Sequence, residues 1–366
     1  MNVLFAGGGT GGHLFPALAI AEALQQRDPN VHISFVGTSD KLEARIVPTY
    51  GFDFYPIWIS GFRRTFSLDN ILFPLKVLVS LVQSWKILRR VQPDVVVGTG
   101  GYVCGPVLYA ATKKKIPTLM QEQNSYPGIT TRLLASRVDE MHITFERSKA
   151  YLRDVKNIFL SGTPVRASIR RIDEQHARRK FGIPPRRKTL FVFGGSQGSS
   201  AINRAIAACL PTLIDNNIHV LWQTGASEFE QMKAFAVSHF PYVSPHAFIS
   251  EMHAAYSAAD LVVCRSGASS LSEIMALGVA SVLIPYPSAA ANHQYENARS
   301  LADEDAAILL EEKELQKLPE ILLSLLFDER RLRDMRSRVS RMARGEAAST
   351  IAEAITRLAR KKTETP

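Results

Sequence analysis

The sequence predicts an α/β protein made of two tandem, doubly wound, Rossmann-like domains. Short apolar strands alternate with helical stretches, which is typical of parallel β-α-β units. Glycine-rich loops follow several strands directly, and the alternation restarts after an aperiodic stretch, SGTPVRASIRR, at 161–171. The chain has 366 residues, of which 46% are hydrophobic, so it is long and apolar enough for two domains with ordinary cores.

The first domain is expected to hold seven strands with helices between them, for example at 14–26 and 68–90. The predicted strands are 3–6, 32–36, 52–57, 94–98, 118–121, 140–144 and 158–160. The second domain repeats the pattern with strands at 189–193, 219–223, 247–249, 261–264, 281–284 and 306–309. We place the domains at 1–163 and 164–344, and expect the helix at about 345–366 to pack back on the first domain because it has no sheet of its own.

The charge balance favours a polyanionic partner. The chain carries 44 basic and 34 acidic residues, a net charge of +10, and its pI is near 9.6. Nucleic acid, an anionic membrane surface and phosphorylated substrates all fit such a balance. The basic residues are scattered and no nucleic-acid-binding module is recognisable, so we expect no nucleic acid. The three cysteines, Cys104, Cys209 and Cys264, are far apart, which favours reduced thiols in a cytosolic protein, and no signal peptide is predicted.

Four glycine-rich loops are the candidate binding elements. They lie at 7–13, 98–106 and 194–200, with a weaker one at 265–273. Glycine lets backbone N–H groups approach a phosphate, and the following helix N-terminus adds its positive dipole end. A single loop of this kind is equally well a tight strand-to-helix turn. Loops at matching places in both halves predict phosphates bound in a cleft between the domains, at the carboxyl ends of the strands.

The first loop also matches the G-x-G-x-x-G fingerprint of dinucleotide sites, at 7–12. A nicotinamide site needs an acidic residue about 20 positions on, at the end of the second strand. That strand ends at Gly37, Asp28 comes too early, and Asp40 lies beyond it. We therefore reject hydride transfer. Glu273 is a candidate ribose ligand beside the fourth loop, and the alternative is a first-turn glutamate that complements its helix dipole.

Seven motifs occur in order across nearly the whole chain: GGGTGGH, GGYVCGP, EQN at 122–124, GTPVR at 162–166, GGSQG, CRSGASSLSE and NHQYENA at 292–298. Together they resemble the MurG family of N-acetylglucosaminyltransferases, in glycosyltransferase family 28. The resemblance implies a GT-B fold, which is two Rossmann-like domains with an interdomain cleft. It also implies inverting transfer of GlcNAc from UDP-GlcNAc to the C4 hydroxyl of MurNAc in lipid I, giving lipid II, with no cofactor and no metal. UDP-GlcNAc 2-epimerases share the fold and remain the alternative.

The resemblance also implies two sets of binding residues. The UDP-GlcNAc contacts would be Thr10, Gly11, Gly12, Asn124, Arg166, Ser196, Ile249, Ala268, Ser269, Ser270, Leu271, Ser272, Glu273 and Gln294. The acceptor diphosphate would face Gly9, Gly100, Gly101 and Tyr102. Two positions depart from the family pattern: Gln121 stands where the family often has His, and Asn292 where it often has Asp.

His13 is the candidate base, because it ends the first glycine loop and an imidazole ordinarily titrates near neutrality. The alternative is that it only braces the loop or donates a hydrogen bond. Glu122 is the competing carboxylate, and it is equally well structural. Arg166, together with the GGSQG loop, is expected to neutralise the leaving diphosphate, unless it is an ordinary linker arginine.

The stretch ILFPLKVLVSLV at 71–82 is apolar but too short to span a bilayer, which takes about 20 residues. As a helix it shows two apolar stripes. We assign the first to the core: Leu68, Ile71, Leu72, Leu75, Val79 and Val82. We assign the second to a membrane interface: Phe73, Val77 and Leu81. The alternative is a helix buried on both sides.

Aromatic and basic residues flank this stretch and would face anionic lipid: Trp85, Arg63, Arg64, Arg89 and Arg90. The run Lys113, Lys114 and Lys115 either adds to this basic face or is only a solvated turn. We therefore expect a peripheral protein on the cytoplasmic face of the cell membrane. Its expected partners are UDP-GlcNAc, lipid I and the anionic membrane surface. Proteins of cell-wall synthesis and division are candidate partners as well.

Overall fold

The computed structural model describes residues 1–61, 71–195, 197–240 and 242–364. The predicted roles of Arg63, Arg64, Leu68 and Ser196 therefore lie outside the described residues. The chain separates into two compact units: the first is Met1–Arg166 with Arg344–Pro366, and the second is Ala167–Ala343. The stretch 161–171 around this division contains no helix or strand.

The first unit is built on a seven-stranded parallel sheet with the order β3-β2-β1-β4-β5-β6-β7. Its strands are β1 (Asn2–Ala6), β2 (His32–Gly37), β3 (Asp53–Pro56), β4 (Val95–Gly98), β5 (Thr118–Glu122), β6 (Glu140–Ile143) and β7 (Ile158–Leu160). Its helices are α1 (Gly11–Arg27), α2 (Leu42–Ile46), α3 (Phe73–Val91), α4 (Cys104–Lys113) and α5 (Ile129–Leu134), with 3₁₀ turns at Val47–Tyr50 and Glu146–Tyr151.

The central strand β1 shows why the sheet is covered on both faces. Val3 and Phe5 pack into one core cluster with α1, whereas Leu4 and Ala6 pack into a second with α3 and α4. Side chains of successive strand residues point to opposite faces, so an unbroken apolar run such as VLFA must be buried on both. The sheet order reverses at β1 and β4, and the glycine loops that follow these two strands are therefore neighbours.

The second unit is built on a six-stranded parallel sheet with the order β10-β9-β8-β11-β12-β13. Its strands are β8 (Thr189–Phe193), β9 (His219–Gln223), β10 (Val243–His246), β11 (Leu261–Cys264), β12 (Ser281–Leu283) and β13 (Ile308–Leu309). Its helices are α6 (Glu174–Lys180), α7 (Ser200–Asp215), α8 (Phe229–His239), α9 (Met252–Ala258), α10 (Ala268–Leu277), α11 (His293–Ala302), α12 (Leu318–Leu326) and α13 (Glu329–Met342), with 3₁₀ turns at Ala290–Asn292 and Glu312–Lys317. Here too the order reverses, between β8 and β11, beside the third and fourth glycine loops.

The last helix, α14 (Ala347–Glu364), belongs to the first unit. Its residues Ile351, Ile355 and Leu358 are buried in the same cluster as Leu18 of α1. Arg357 adds a two-pronged contact, because its Nη2 lies 2.9 and 2.8 Å from the two carboxylate oxygens of Glu140 on β6. The first unit is therefore completed by the end of the chain.

The predicted class, two doubly wound α/β domains, is confirmed by the two parallel sheets. One strand was misplaced: residues 247–249 form no strand, and β10 is Val243–His246 instead. Pro245 lies within β10 and argued against a strand there. The sheet tolerates it because β10 is an edge strand, paired only with β9.

Candidate active site

The first glycine loop connects β1 to α1. Thr10 is the residue before the helix; it is exposed, and its side chain makes no capping hydrogen bond. Gly11 and Gly12 are the first two residues of α1, and the first turn contains no acidic residue. A helix start with no carboxylate of its own keeps the attraction of its N–H groups and dipole for an external anion.

Glu43 is a buried carboxylate beneath this loop, and the sequence analysis missed it. Its Oε2 accepts from the backbone N–H of Gly9 at 3.0 Å, and its Oε1 accepts from the N–H and the hydroxyl of Thr38 at 3.0 and 2.9 Å. A Cβ on Gly8 would lie 2.4 Å from this carboxylate, which explains the glycine there. Because the Gly9 N–H is used by Glu43, it is not available to a phosphate in this conformation.

His13 lies between the first and second glycine loops. Its Nδ1 is 3.1 Å from the carbonyl oxygen of Thr99 and 3.3 Å from Oε1 of Gln123. A backbone carbonyl can only accept, so Nδ1 carries the proton and donates. In the neutral ring Nε2 is then the nitrogen without a proton, which is the tautomer that a general base needs.

The second glycine loop is shaped around His13. Gly100 and Gly101 have left-handed backbones, with φ of 102° and 82°. A Cβ on Gly100 would lie 2.5 Å from His13 Nδ1, and one on Gly101 would lie 2.6 Å from the Gly8 carbonyl oxygen. The ring of Tyr102 covers Gly9, and burial raises the pKa of its phenol, so Tyr102 is a neutral hydroxyl near neutral pH. Four of the predicted acceptor-side residues and His13 are thus in one place.

Glu122, the competing carboxylate, is buried and fully engaged. Its Oε1 accepts from the backbone N–H and the amide of Asn124, both at 3.0 Å. Its Oε2 accepts from the N–H of Gly128 at 3.1 Å and from the hydroxyl of Thr131 at 2.6 Å. Four donors occupy about the whole acceptor capacity of a carboxylate. This geometry favours the structural alternative, in which Glu122 orients Asn124 at the end of β5.

A chain of buried amides leads away from His13. Gln123 Nε2 donates to the Thr99 carbonyl at 2.7 Å and to Oε1 of Gln121 at 2.5 Å. Gln121 Nε2 in turn lies 3.4 Å from the Thr144 hydroxyl. Gln121 is the position at which the family often has His, and here an amide supplies both the acceptor and the donor that this network needs.

Arg166, predicted to bind the donor diphosphate, lies at the end of the first unit. Its guanidinium carbon is 4.5 Å from the ring centroid of Phe15 on α1. Glu22 interacts with it by charge: burial raises the pKa of that carboxyl, and Arg166 opposes the rise. A cation held over an aromatic face near the start of α1 adds positive charge to the glycine-loop end of the first unit.

The third glycine loop connects β8 to α7 in the second unit. Its geometry requires glycine, since Gly195 and Gly198 have φ of 94° and 84°, and a Cβ on Gly198 would lie 2.2 Å from the Thr224 carbonyl oxygen. Ser199 caps α7, and Arg265 holds this cap through a bond of 2.7 Å to its hydroxyl. Arg265 is buried and also pairs with Glu312, so this arginine of the CRSGASSLSE motif braces the loop.

The fourth loop leads into α10, where some of the predicted nucleoside contacts are partly exposed and others are buried. Gly267 to Ser270 are partly exposed at the start of the helix, whereas Leu271 and Ser272 are buried. The Ser272 hydroxyl donates to the Ala268 carbonyl, as expected of an internal helix serine. Glu273 is the sixth residue of α10 and lies beyond its first turn, which removes the basis for a purely dipolar role.

Two further predicted contacts, Ile249 and Gln294, lie in the same unit. The backbone N–H of Ile249 donates to Oε1 of Gln223 at 2.8 Å, so its carbonyl is the group left to contact a base. Gln223 also donates to the Gly195 carbonyl and ties Ile249 to the third loop. Gln294 accepts from the Tyr286 N–H at 2.9 Å through its side-chain oxygen. The residue two positions before it, Asn292, has a left-handed backbone with φ of 56°.

Helix α3 reverses the predicted assignment of its two stripes. Four described residues of the stripe assigned to the core, Ile71, Leu72, Leu75 and Val82, are exposed, and Val79 is partly exposed. The accessible fraction is 65% at Ile71, just before the helix, 49% at Leu75 and 56% at Val82, and it is 63% at Leu78 beside them. The second stripe, Phe73, Val77 and Leu81, is only partly exposed. Because the first stripe is exposed, the alternative of a helix buried on both sides is also wrong.

The buried face of α3 contains polar residues, which explains the reversal. Lys76 is 7% exposed, and its Nζ donates to the Ser60 hydroxyl at 3.0 Å. Ser80 and Ser84 satisfy their hydroxyls on backbone carbonyls of the same helix. Lys114 lies 4.9 Å from the ring centroid of Trp85, which places a basic residue at the edge of the exposed stripe. Within the ranges that the structure describes, no helix is long and apolar enough to cross a membrane.

Comparison with known proteins places these features in a family. The models of the glycosyltransferase family 28 N-terminal and C-terminal domains match residues 3–143 and 189–355. A relative from Salinibacter ruber is 42% identical over 360 residues, covering 98% of this chain and 97% of the relative. It is named UDP-N-acetylglucosamine--N-acetylmuramyl-(pentapeptide) pyrophosphoryl-undecaprenol N-acetylglucosamine transferase.

Two solved structures resemble this chain in fold but differ in their sequence identity to it. The crystal structure of Acinetobacter baumannii MurG matches with a TM-score of 0.78 and 27% identity, covering 97% of this chain and 99% of that chain. A UDP-GlcNAc 2-epimerase from Neisseria meningitidis matches with a TM-score of 0.70 but only 14% identity, covering 98% and 100%, and so shares the fold alone. The two-domain GT-B fold is confirmed. By identity along nearly its whole length, this chain belongs to glycosyltransferase family 28, and within it to the MurG family of N-acetylglucosaminyltransferases.

Proposed function

We propose that this chain transfers GlcNAc from UDP-GlcNAc to the MurNAc of lipid I and so forms lipid II. The family relationship supports this activity along the whole chain. In the structure, the observation that carries the proposal is His13, held between two glycine loops at the end of the first sheet. A glycosyl transfer needs a proton acceptor beside donors for phosphate oxygens, and this place supplies both.

The reaction is one in-line displacement that inverts the anomeric carbon of GlcNAc. The C4 hydroxyl of MurNAc loses its proton while its oxygen bonds to C1, and the bond from C1 to the UDP phosphate oxygen breaks. We assign the proton to Nε2 of His13, because Nδ1 donates to Thr99. Glu122 is assigned a positioning role, since its oxygens already accept from Asn124, Gly128 and Thr131.

The departing UDP carries the charge that must be neutralised. We propose that this is done without a metal, by the helix N-termini of the glycine loops and by Arg166. Support comes from the absence of acidic residues in the first turns of α1, α7 and α10. Arg166 lies over the Phe15 ring with Glu22 as an acidic neighbour, and its planar guanidinium is suited to two-pronged recognition of a phosphate.

The second unit is proposed to bind the donor nucleotide. The partly exposed start of α10 would contact the nucleoside, Glu273 the ribose hydroxyls, and the Ile249 carbonyl the uracil. Gln294 and Asn124 would bind the GlcNAc. The two oxygens of the Glu273 carboxylate can accept hydrogen bonds from both ribose hydroxyls. Thr10, Gly11 and Gly12 at the start of α1 are proposed as further contacts of UDP-GlcNAc, whereas Gly9, Gly100, Gly101 and Tyr102 are proposed to face the acceptor diphosphate.

The exposed stripe of α3 is proposed as the membrane-binding surface, here called the α3 stripe: Ile71, Leu72, Leu75, Leu78, Val82 and Trp85. A helix that buries lysine and serine and exposes isoleucine and leucine is arranged for an apolar surrounding on its outer side. Exposed Arg89 and Arg90 and the nearby Lys114 add attraction to anionic lipid. We infer a peripheral protein at the cytoplasmic face of the cell membrane, where lipid I and cell-wall synthesis or division proteins would meet it.

The test is release of UDP from UDP-GlcNAc, with and without a lipid I analogue, in detergent and with EDTA. The proposal expects release that depends on the acceptor and survives EDTA. Release that needs a divalent cation would overturn the metal-independent mechanism. Formation of UDP-ManNAc without any acceptor-dependent release would identify an epimerase instead.

A further inference from the structure

Tyr256 is a buried hydroxyl that touches the proposed ribose ligand. It lies on α9 and has no exposed surface. Its hydroxyl donates to Oε2 of Glu273, on α10, over 3.0 Å. Burial and the neighbouring Glu273 carboxylate hold the pKa of Tyr256 well above its ordinary value, so the phenol keeps the proton that it donates.

The ring of Tyr256 is fixed by its surroundings. It packs edge-on against Phe191 at 5.6 Å and against Phe193 at 5.9 Å between ring centroids, both with interplanar angles of 81°. Both phenylalanines belong to β8, the strand that runs into the third glycine loop. The direction of the hydroxyl is therefore set by the same strand that sets the loop.

We propose that Tyr256 is a positioning residue for nucleotide binding, which holds the Glu273 carboxylate in the orientation that receives the ribose hydroxyls. Glu273 is partly exposed on a helix surface, and a free glutamate there would sample several rotamers. A bond from a fixed donor to one oxygen restricts the carboxylate before the ligand arrives, and such preorganisation increases affinity. The Oε2 atom keeps a further lone pair, so the bond does not remove it as an acceptor.

This inference rests on the proposed function, and specifically on the ribose role of Glu273. It goes beyond that role because it assigns part of the nucleotide affinity to a side chain that the ligand never touches. It also gives a reason why tyrosine, and not phenylalanine, stands beside Phe191 and Phe193. A merely structural role would make the hydroxyl matter to folding and not to the recognition of ribose.

The test is Tyr256→Phe, which keeps the ring and removes only the hydroxyl. Calorimetry measures the Kd of UDP and of 2′,3′-dideoxyuridine diphosphate for the wild-type chain and the variant. We expect the Kd of UDP to rise about tenfold, the scale of one hydrogen bond to a charged group, and the Kd of the dideoxy compound to stay unchanged. In a Glu273→Ala background, Tyr256→Phe is expected to have no further effect on UDP binding.

Tyr242→Phe is the matched control, because this tyrosine lies before β10, at the opposite end of the sheet, against Arg187. It should leave both Kd values unchanged. An unchanged Kd of UDP in Tyr256→Phe, or an equal loss with the dideoxy compound, would overturn the inference. If wild-type chain transfers GlcNAc normally while this happens, only the inference fails. If wild-type chain shows no acceptor-dependent UDP release, the proposed function fails instead.

Discussion

The Nδ1 atom of His13 lies 3.1 Å from the backbone carbonyl oxygen of Thr99, across the gap between two glycine-rich loops. The contact is reciprocal, because the Thr99 hydroxyl donates to the His13 carbonyl at 2.9 Å. Residue 13 is thus held at both its ring and its backbone by the residue that precedes Gly100. The ring nitrogen that donates is decided by the fold and not by the substrate.

His13→Ala is expected to lower turnover by about 10²-fold or more, the usual effect of losing a general base. UDP affinity should change little, because His13 is assigned to the acceptor hydroxyl and the proposed contacts of the nucleoside lie in the second unit. Steady-state transfer to a lipid I analogue and calorimetry with UDP measure the two effects. Near-normal turnover would contradict the assignment of His13 as the base.

Glu122→Ala is expected to destabilise the first unit by about 2–4 kcal/mol, because several buried donors lose their acceptor together. Urea unfolding followed by tryptophan fluorescence measures this change. Glu122→Gln separates the two roles, although its amide nitrogen would face two of these donors and lower the stability as well. If Glu122 were the base, the folded variant would lose turnover, whereas a purely structural Glu122 predicts that the folded fraction keeps it.

Glu43→Gln is expected to disturb the first glycine loop. An amide nitrogen would face either the Gly9 N–H or the Thr38 donors, and one of these bonds would become a repulsive donor pair. We expect the KM for the lipid I analogue to rise about tenfold, which corresponds to about 1.4 kcal/mol, with the Kd of UDP unchanged. Equal changes for donor and acceptor would show that Glu43 acts on the whole fold.

Replacing two leucines of the α3 stripe, in Leu75→Ser with Leu78→Ser, is expected to weaken sedimentation with anionic vesicles by about tenfold or more, since exposed apolar area is what inserts into the interface. Turnover with a water-soluble acceptor should not change. Phe327→Ser is the matched control, because Phe327 is 55% exposed but lies in the second unit. Vesicle binding that survives the double replacement would rule out the α3 stripe as the membrane-binding surface.

Arg357→Met is expected to loosen α14 in a pH-dependent way. Burial alone would raise the pKa of Glu140, but hydrogen bonds from His142 and Arg357 hold it below its ordinary value. A carboxyl whose pKa is lower in the folded state contributes its full stabilisation above the unfolded-state pKa. This stabilisation is lost as the pH falls through the folded-state pKa.

The free energy of opening α14 should therefore differ by about 1 kcal/mol between the wild-type chain and Arg357→Met near pH 7, a modest value because Arg357 is half exposed. This difference should shrink below about pH 4. Hydrogen-exchange protection of the α14 amides measures it, with Arg330→Met on the surface of the second unit as the control. A difference that does not depend on pH would mean that Arg357 contributes packing alone.

The sequence predicted the sheets well because both faces of each central strand are buried. Strands such as Thr189–Phe193 and His219–Gln223 have the predicted bounds. An edge strand obeys weaker rules, and Val243–His246 escaped prediction because it contains a proline. Periodicity predicted the two stripes of α3 but not their directions, since it does not reveal that Lys76 donates to the Ser60 hydroxyl.

The candidate site was predicted where chemistry is local in sequence. His13 and the glycines stand together in one motif, and the structure brings them together with Gly100 and Gly101. Glu43, Gln123 and Tyr256 were missed, because each acts through a partner that the fold alone places beside it. A buried carboxylate six residues after the end of β2 is a signal only once the loop that it supports is known.

The position of α14 has a consequence for how the protein is made. The second unit is inserted into the first, since the chain leaves the first unit after Arg166 and returns to it at Arg344. Leu18 and its neighbours on α1 are covered by a helix that is synthesised only after the whole second unit. During synthesis the second unit is complete while the first still exposes part of its core. Loss of α14 is therefore expected to damage the unit that contains residues 1–166 and to leave the second unit intact.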